Sequence, residues 1–565
     1  MSSTFRLNDY PVVVGIDFGT TYSGAAYGIV SSESESEISH INSWPKQSCF
    51  RYPKAPTISL YNYDTKSLAL WGNAARIERN KCQSRHNYLL LQQYKLYLDE
   101  SLDGVIRSLP EGFKPVEIIA DYLREFHQHV LSEMRKGFAQ QFEGRYRYGY
   151  VELDNQTSAL QVPAMWSDRA KQAMREAAIL AGIISEDDHH DRLMLISEPE
   201  AAAIYCEKTC DQFNMDSGDE FMICDAGGGT VDLIVFDVKK DSRGNRQFRE
   251  STKGMGKSCG SAFVDKNMRK LLKSKLRKVV REIPPAALET MMEHFIDNMK
   301  PSFDGTEEMF LPVPMSVGLM EHTDSSIGLS DGMLMFSVEE MKEKVFEPVV
   351  RDVIGCIHKQ KQQTKNLKAI FMVGGFGASH YLYHRVDQEF KEEGIMVVTP
   401  YRAELAVSRG AVYFGMNPTK VTTRVPRYWY GIDITHTFEE GIDPPEFKII
   451  KPDGSIRCDN RFSVFVRRGE PLDIDSCVTK KYMAFYPRNT ICTFFASSTE
   501  EEPRYTLQEG VRKVFDFEIP MSELPGVRPG DQVELTIHMY FGEVELRVEA
   551  VIMDKKYAVV CNFNV

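Results

Sequence analysis

Two short segments of the chain have the residue types that bind phosphate. Asp17 comes just before the turn GTT at 19–21, and Asp225 comes just before the turn GGGT at 227–230. Because glycine has no side chain, the backbone N–H groups of such a turn can approach phosphate oxygens closely. One turn of this kind is a weak signal. Two of them in one chain predict a bracket around a polyphosphate.

The two aspartates predict a magnesium ion beside that polyphosphate. A carboxylate does not bind phosphate directly, whereas Mg²⁺ is commonly held by one or two carboxylates, several waters and the phosphates of a substrate. We therefore expect Asp17 and Asp225 to hold Mg²⁺ through water. The hydroxyls of Thr20 and Thr21 are expected to contact the β- and γ-phosphates.

Each aspartate ends a predicted strand, and a returning strand follows each turn. The β-branched run from Pro11 to Asp17 is followed by alternating residues at 22–30, and the same design recurs at 221–238. The two aspartates are 225 − 17 = 208 positions apart. A third glycine turn, Gly374-Gly375, ends a predicted buried strand. This internal repeat predicts two related α/β lobes.

Helical patterns fill most of the chain between these strands. Residues 164–182 have apolar positions at helical spacing and stop at Gly182. The next predicted helix begins at Glu198, and Pro199 in its first turn costs no hydrogen bond. Three further segments predict helices: 266–300, 338–360 and 403–414.

After Pro418 the pattern changes from helical to alternating. Six segments alternate with period two between glycine- and proline-containing turns: RYWYGIDI, RFSVFVRRG, KKYMAFY, ICTFFAS, QVELTIHMYF and ELRVEAVIMD. We expect a domain at 1–416 that carries the phosphate turns, a linker at 417–427 and a β-rich domain at 428–565. The last is about the size of a small sandwich.

The composition is typical of a soluble chain with more than one domain. The chain has 565 residues, 42% hydrophobic and 26% charged, which argues against wholesale disorder. No apolar run approaches the ~20 residues of a bilayer span, and no secretion signal is evident at the N-terminus. The eleven cysteines include no CxxC pair, and the net charge of −12 disfavours nucleic acid. We expect a reduced compartment, the cytoplasm.

Five segments together resemble the nucleotide-binding domain of heat shock protein 70 (DnaK-type) chaperones, in the actin and sugar-kinase ATPase superfamily. They are GIDFGTTYSG, VPAMWSDRAKQAMREAAILAG, ISEPEAAAIYC, DAGGGTVDLIVFDV and MVGGFGAS. The order and spacing of the segments hold from residue 12 to about 415. Within the family, the chain is most similar to the divergent 12A-like branch, in its EPEAAAIYC form and in its missing lid. The resemblance implies two actin-like, ribonuclease H-like lobes around a nucleotide cleft, with ATP or ADP and Mg²⁺ as ligands.

The resemblance also implies roles for individual residues. Asp17 and Asp225 match the magnesium-side carboxylates, Glu198 matches a glutamate that orders water, and Lys95 lies where the family places a lysine on the γ-phosphate. A surface helix lysine is the alternative interpretation of Lys95. The remaining matches to nucleotide-binding positions are Gly19, Thr20, Thr21, Tyr22, Gly227, Gly228, Gly229, Thr230, Asp232, Gly260, Gly374 and Gly375.

The part of the site expected to hold the base departs from the family. Where the family clamps adenine with an arginine after its third glycine turn, this chain has Phe376-Gly377-Ala378. A family helix that closes over adenosine is represented here by Asp297, Lys300 and Pro301, so both expected arginines are absent. Phe376 could stack on the base instead, and a core position is its alternative interpretation.

The region after the ATPase-like domain departs as well. The predicted linker PTKVTTRVP has neither leucine nor acidic residues, although the family's linker is short, acidic and leucine-rich. We find no helical lid after the β-rich segments and no Glu-Glu-Val-Asp terminus. These differences put the family's mode of client clamping and of co-chaperone docking in doubt.

Two functions fit these observations. The first is a chaperone-like protein whose weak, Mg²⁺-dependent ATPase switches its hold on unfolded or partner polypeptide, with co-chaperones as further partners. The second is a nucleotide-sensing interaction module with little or no turnover, which the lost arginines, linker and lid favour. A small-molecule kinase of the same superfamily is disfavoured, because the EPEAAA helix and the β-rich tail resemble chaperones.

Overall fold

We describe the protein from a computed structural model. The structure describes residues 11–30, 38–47, 52–79, 87–99, 102, 108–142, 156–163, 166–188, 192–210, 213–242, 244–451, 454–474, 476–521, 524, 526–541, 546–553 and 555–560. The described chain is mixed α/β with several separate sheets.

The chain divides into two compact units. Unit one comprises Met1–Trp166, Met174–Val235 and Met255–Lys420. Unit two comprises Ser167–Ala173, Phe236–Gly254 and Val421–Val565. Each unit is described below by itself.

The strands are numbered here in chain order: β1 Val12–Asp17, β2 Tyr22–Ile29, β3 Ile38–His40, β4 Ala55–Pro56, β5 Ile58–Asn62, β6 Leu68–Trp71, β7 Tyr88–Gln92, β8 Gln156–Val162, β9 Leu193–Ser197, β10 Glu220–Ala226, β11 Val231–Lys240, β12 Arg246–Glu250, β13 Met255–Lys257, β14 Met309–Pro312, β15 Leu329–Ser330, β16 Met333–Phe336, β17 Leu367–Val373, β18 Met396–Val398, β19 Val421–Arg424, β20 Trp429–Thr437, β21 Lys448–Ile450, β22 Ile456–Val466, β23 Leu472–Asp473, β24 Cys477–Phe485, β25 Thr490–Ser497, β26 Val511–Ile519, β27 Gln532–Tyr540, β28 Arg547–Ile552 and β29 Lys555–Val560.

The α-helices are α1 Gly72–Arg79, α2 Pro115–Phe142, α3 Asp168–Leu180, α4 Glu198–Thr209, α5 Ser261–Leu276, α6 Pro285–His294, α7 Lys300–Ser302, α8 Val338–Met341, α9 Glu347–Lys361, α10 Gly374–Gly377, α11 His380–Phe390 and α12 Ala406–Met416. Two π-helical turns, Phe295–Met299 and Lys342–Phe346, connect α6 to α7 and α8 to α9. A short 3₁₀ helix spans Tyr94–Leu98.

Two sheets in unit one carry the predicted phosphate turns. One has the order β3-β2-β1-β8-β9, in which β1 and β2 are antiparallel and β1, β8 and β9 are parallel. In the other, β18, β17, β10 and β11 are neighbours, and β10, β17 and β18 are parallel. β1 and β10 are buried along their whole length, as is typical of strands whose apolar residues form continuous runs. These runs end in Asp17 and in Asp225-Ala226.

The core of unit one around the second sheet is built from strands and helices together. Strands β10, β11 and β17 contribute Met222, Leu233 and Ile370, and helices α5 and α9 pack Leu272 and Val353 against them. Each of these five side chains is fully buried. The apolar periodicity of the helices therefore fixes the sheet that ends in the second glycine turn.

Unit two contains two antiparallel sheets that share one apolar core. Their strand orders are β21-β22-β20-β25-β26 and β24-β27-β28-β29. Phe494 on β25 and Phe515 on β26 stack with ring centroids 4.5 Å apart, and Ile537 and Ile552 from the second sheet are fully buried in the same cluster. The alternation of apolar and polar residues along β26 and β27 places one face of each strand in this core.

Three elements differ from the sequence prediction. The segment 266–300, predicted as one helix, is interrupted between α5 and α6 because Pro285 lacks the N–H that would continue the helix. Residues 421–424, within the predicted linker, form β19, which pairs with β12 and β23 in unit two; two of its residues are the β-branched Val421 and Thr423. Strand β26 was not predicted, although its residues alternate clearly.

Two further observations concern helices and cysteines. Within the described ranges, no helix is long and apolar enough to cross a bilayer. None of the eight cysteines that lie in those ranges forms a disulfide.

Candidate functional site

The first glycine turn joins β1 to β2 at the edge of a buried sheet. Asp17 pairs with Gly24 across the two antiparallel strands, so the turn between them is short. Asp17 and Thr20 are 5% and 7% exposed, and Phe18 beneath the turn is fully buried. The strand pairing therefore fixes the carboxylate and the threonine hydroxyl at one point of the fold.

The second glycine turn is held by the backbone of the residues that begin α5. Gly260 donates a backbone hydrogen bond to the Gly229 carbonyl at 3.0 Å, and Ala262 donates to the Gly228 carbonyl at 2.8 Å. Within the turn, the Gly227 N–H donates to the Thr230 carbonyl at 3.0 Å. Gly260, predicted to bind nucleotide, thus lies directly against the second turn.

The two turns meet in unit one. A Cβ atom placed on Gly228 would lie 2.1 Å from Thr21 Oγ1, and one on Gly229 would lie 2.6 Å from Thr20 Oγ1. Both distances are shorter than any real contact, so only glycine lets the turns approach this closely. Residues 228 − 21 = 207 and 229 − 20 = 209 positions apart in the sequence are therefore neighbours, as the predicted bracket requires.

Asp225 interacts electrostatically with three other carboxylates. Burial raises the pKa of Asp225 well above its usual range, and the negative charges of Glu198, Asp232 and Asp17 raise it further. The Lys54 ammonium opposes that effect. The third glycine turn also contacts the group, because a Cβ on Gly374 would lie 2.5 Å from Asp225 Oδ1.

Glu198 is held by the start of α4. Ser197 and Glu200 form a capping box, in which the Ser197 side chain accepts from the Glu200 N–H and the Glu200 carboxylate accepts from the Ser197 N–H. Glu198, the first residue of the helix, accepts a hydrogen bond from Lys95 Nζ at 2.6 Å. The capping box explains why this carboxylate has a fixed position.

Lys95 is buried, so the interpretation of this residue as a surface helix lysine is wrong. It lies on the 3₁₀ helix Tyr94–Leu98, and its residue is 3% exposed. Its ammonium lies 5.3 Å from the Trp166 ring centroid and 5.9 Å from that of Phe18, which adds cation–π stabilisation to the ion pair with Glu198. The Lys95 ammonium is therefore shielded from water and paired with Glu198.

We call the residues described so far the phosphate end of the candidate site. Its base end consists of Asp297, Lys300 and Phe376, which are expected to hold the base. Arg76 on α1 donates hydrogen bonds to Asp297 and to Glu293. Lys300 Nζ donates to both oxygens of Asp265, at 2.8 and 3.1 Å. The charged residues of the base end are therefore paired with protein groups.

Phe376 lies in the apolar core of unit one. Its residue is 3% exposed and is one of the cluster that includes Met372 and Leu382. The core interpretation of Phe376 is therefore favoured over stacking on a base, because a ring packed in this way presents little surface to a ligand. Gly375, the preceding residue, faces the Tyr52 hydroxyl instead.

Sequence analysis did not single out two charged residues of the candidate site. Lys54 Nζ donates to Asp17 Oδ2 at 2.6 Å, and both residues are buried. Arg76, on α1, forms the ion pair with Asp297. In the sequence, Lys54 is the one charged residue of the segment YPKAPTISLY. Nothing in the local sequence indicates which residue pairs with Arg76.

The donor set fits a magnesium ion. Asp17 and Asp225 supply hard carboxylate oxygens, and they lie close enough that the charge of Asp17 raises the pKa of Asp225. Mg²⁺ usually keeps several waters and takes one or two carboxylates together with substrate phosphates. Asp17 and Asp225 would hold such an ion between the two glycine turns.

Comparison with known proteins gives one consistent result. The family model described as Hsp70 protein matches residues 149–416. The chain resembles the Hsp70 family. Human heat shock 70 kDa protein 12B is 26% identical over 96% of this chain and 89% of its own length, and human heat shock 70 kDa protein 12A is 25% identical over 97% and 91%.

More distant Hsp70 relatives match a smaller part of the chain. A chaperone protein HscA homolog from Haemophilus influenzae (strain PittGG) is 22% identical over 70% of this chain and 56% of its own length. The likeness to heat shock 70 kDa proteins 12A and 12B instead extends over nearly the whole chain. The predicted resemblance to the Hsp70 family and to its 12A-like branch is confirmed.

Proposed function

We propose that this chain is a chaperone-like protein that binds ATP or ADP with Mg²⁺, hydrolyses ATP slowly and couples the nucleotide state to the binding of unfolded or partner polypeptide. The likeness to heat shock and chaperone proteins supports a nucleotide-binding, chaperone-like protein in general. The approach of the two glycine turns, with Asp17 and Asp225 behind them, is the observation that carries the proposal.

The proposed architecture has two actin-like lobes around the nucleotide cleft, followed by a β-rich polypeptide-binding region. The repeated strand-turn-strand pattern at β1-β2 and β10-β11 supports the two lobes. The two antiparallel sheets with a common core support a separate β-rich region from residue 428 onward. A cytoplasmic location stays a prediction.

Phosphate binding is assigned to the two turns and to two charged groups. Backbone N–H groups of Gly19–Thr21, Gly228 and Gly229 would point at phosphate oxygens, and the Thr20 hydroxyl would add a side-chain donor. Lys95 would leave part of its interaction with Glu198 for the terminal phosphate. Mg²⁺, when bound beside Asp17 and Asp225, would neutralise phosphate charge as it does in other phosphoryl-transfer sites.

Water activation is assigned to the buried carboxylates. Glu198, fixed by the capping box, would orient the attacking water toward the terminal phosphate. One of the carboxylates of this group, Glu198, Asp225 or Asp232, would accept the proton of that water. Phosphoryl transfer to water requires mainly positioning and charge neutralisation, which these groups provide.

The test is phosphate release by the purified chain with Mg²⁺-ATP, with and without an unfolded polypeptide. We expect slow release that the polypeptide stimulates, and a loss of roughly 100-fold or more in the Glu198→Gln variant with unchanged ADP binding. Glu117→Gln, which changes an exposed glutamate, is the matched control. Nucleotide binding without any release would contradict the proposed turnover and point to the nucleotide-sensing module.

A further inference from the structure

A lysine that the Hsp70 likeness does not assign to the site lies in the centre of the phosphate end. Lys54 Nζ is 2.6 Å from Asp17 Oδ2, and the two residues are 8% and 5% exposed. The same ammonium is within Coulombic reach of Asp225. Lys54 is therefore a permanent positive charge beside both carboxylates that are expected to serve the magnesium ion.

The fold holds Lys54 in this place from both sides. Residues 55 and 56 form β4, which pairs with the start of β2. The lysine stem crosses Gly24, the residue opposite Asp17, where a Cβ atom would lie 2.9 Å from Lys54 Cγ. Two residues before it, Tyr52 packs edge-on against Tyr22 with ring centroids 5.0 Å apart. A side chain fixed along its length loses little entropy when a ligand arrives.

The ammonium retains donors for a ligand. An ammonium group has three N–H donors, and among the residues that the structure describes its hydrogen bond goes to Asp17. Burying a charge with unused donors is costly unless a further partner completes the set. Its partner Asp17 comes two residues before Gly19 of the first glycine turn, so a phosphate oxygen bound by that turn is a partner of matching charge for the remaining donors.

We propose that Lys54 is a phosphate-contacting residue of this site, and that its ammonium lets nucleoside di- and triphosphates bind with reduced dependence on Mg²⁺. The inference rests on the proposed nucleotide binding and adds a specific contact to it. A divalent ion that uses Asp17 must share that carboxylate with Lys54, and the ammonium supplies part of the neutralising charge itself.

The experiment is calorimetric titration of the full chain with ADP, once in Mg²⁺ and once in EDTA. The test variant is Lys54→Met, which keeps most of the stem on Gly24 and removes the charge. Lys275→Met is the matched control, because Lys275 is also buried in unit one but pairs with Glu340, away from the turns. Circular dichroism verifies the fold of each variant.

In EDTA we expect wild type and Lys275→Met to bind ADP, and Lys54→Met to bind roughly 10- to 100-fold more weakly, the usual effect of a lost charge-assisted hydrogen bond. In Mg²⁺ the loss should be at most about threefold, since the ion replaces the missing charge. If Lys54→Met fails to fold because Asp17 is left unpaired, the double variant Lys54→Met, Asp17→Asn removes both charges. It should show the same loss in EDTA when it is compared with Asp17→Asn alone, since the two then differ only in the lysine charge.

Two results would overturn the inference while leaving the proposed function intact. One is equal ADP affinity of wild type and Lys54→Met in EDTA. The other is wild-type binding that disappears entirely in EDTA, because the lysine charge would then not suffice. Absence of wild-type binding in both buffers would instead refute the proposed nucleotide binding, and the role of Lys54 with it.

Discussion

The phosphate end and the base end of the candidate site differ in how deeply their ion pairs are buried. At the phosphate end, charged side chains are buried and paired at short distance, as in Lys95–Glu198 and Lys54–Asp17, both at 2.6 Å. At the base end, the Arg76 and Asp297 side chains are 22% and 45% exposed. Buried charges tolerate little change, whereas exposed ion pairs contribute about 0–1 kcal/mol.

From this difference we expect the phosphate end to control ligand binding. The phosphate end is fixed by strand pairing, a helix cap and backbone hydrogen bonds before any ligand arrives. The base end lacks both arginines of the Hsp70 pattern and pairs its remaining charges internally. We therefore expect affinity to come from phosphate recognition, with the base end affecting mainly exchange.

The largest effect is expected from removing both carboxylates at the phosphate end. The variant Asp17→Ala, Asp225→Ala should lose roughly 100-fold in Mg²⁺-ADP affinity, because the contribution of Mg²⁺ disappears with the two carboxylates that would hold the ion. Calorimetric titration measures this loss. Asp304→Ala, at an exposed aspartate, is the control and should bind as wild type does. An unchanged affinity in the double variant would refute the assignment of the phosphate end.

A second effect concerns the stability of the phosphate end. Lys95→Met leaves Glu198 buried without its partner and should lower the free energy of unfolding by roughly 3–5 kcal/mol. The double variant Lys95→Met, Glu198→Gln should recover most of that loss, since neither charge remains. The midpoint of the first urea transition is the measurement, and Lys114→Met, from an exposed ion pair, is the control. Equal losses in the single and double variants would contradict the ion-pair account.

The third prediction compares ligands instead of variants. Shortening ADP to AMP should weaken binding by about 10- to 100-fold, because a charged group that the turns recognise is lost. Replacing ADP with GDP should change affinity by no more than about threefold, since removing one uncharged contact has a small effect. Competition titration gives both ratios. Strong preference for ADP over GDP would show that the base end recognises adenine after all.

The smallest effect is expected at the ion pair of the base end. Arg76→Ala removes a half-exposed contact worth about 0–1 kcal/mol, so ADP release should accelerate by at most about fivefold. Stopped-flow release of a fluorescent ADP analogue measures the rate. Asp297→Asn should give the same acceleration. A much larger change in either variant would make the base end an equal partner of the phosphate end.

Much of the fold could be predicted from local sequence. The apolar runs that end in Asp17 and Asp225 predicted two buried strands, and both lie within a residue of the expected bounds. One error came from a proline, since Pro285 begins a new helix in a segment predicted to be continuous. The strand at 421–424 was missed because it depends on pairing with residues 246–250, which no local pattern shows.

The site was predictable where a motif is continuous in the sequence. The glycine turns and Glu198 belong to such segments, and the structure brings them together. Lys54 and Arg76 were missed because each acts through a partner distant in sequence, 37 residues away for Lys54 and 221 for Arg76. The burial of Lys95 and of Phe376 decided between the two interpretations that the sequence allowed for each residue.

The most direct measurement compares the two halves of the ligand separately. Calorimetric titration of the purified chain with tripolyphosphate and with adenosine, both in Mg²⁺, isolates the phosphate end from the base end. We expect tripolyphosphate to bind and to compete with ADP, and adenosine to show no measurable binding. Binding of adenosine without binding of tripolyphosphate would contradict the central claim that the candidate site binds its ligand through the phosphate groups.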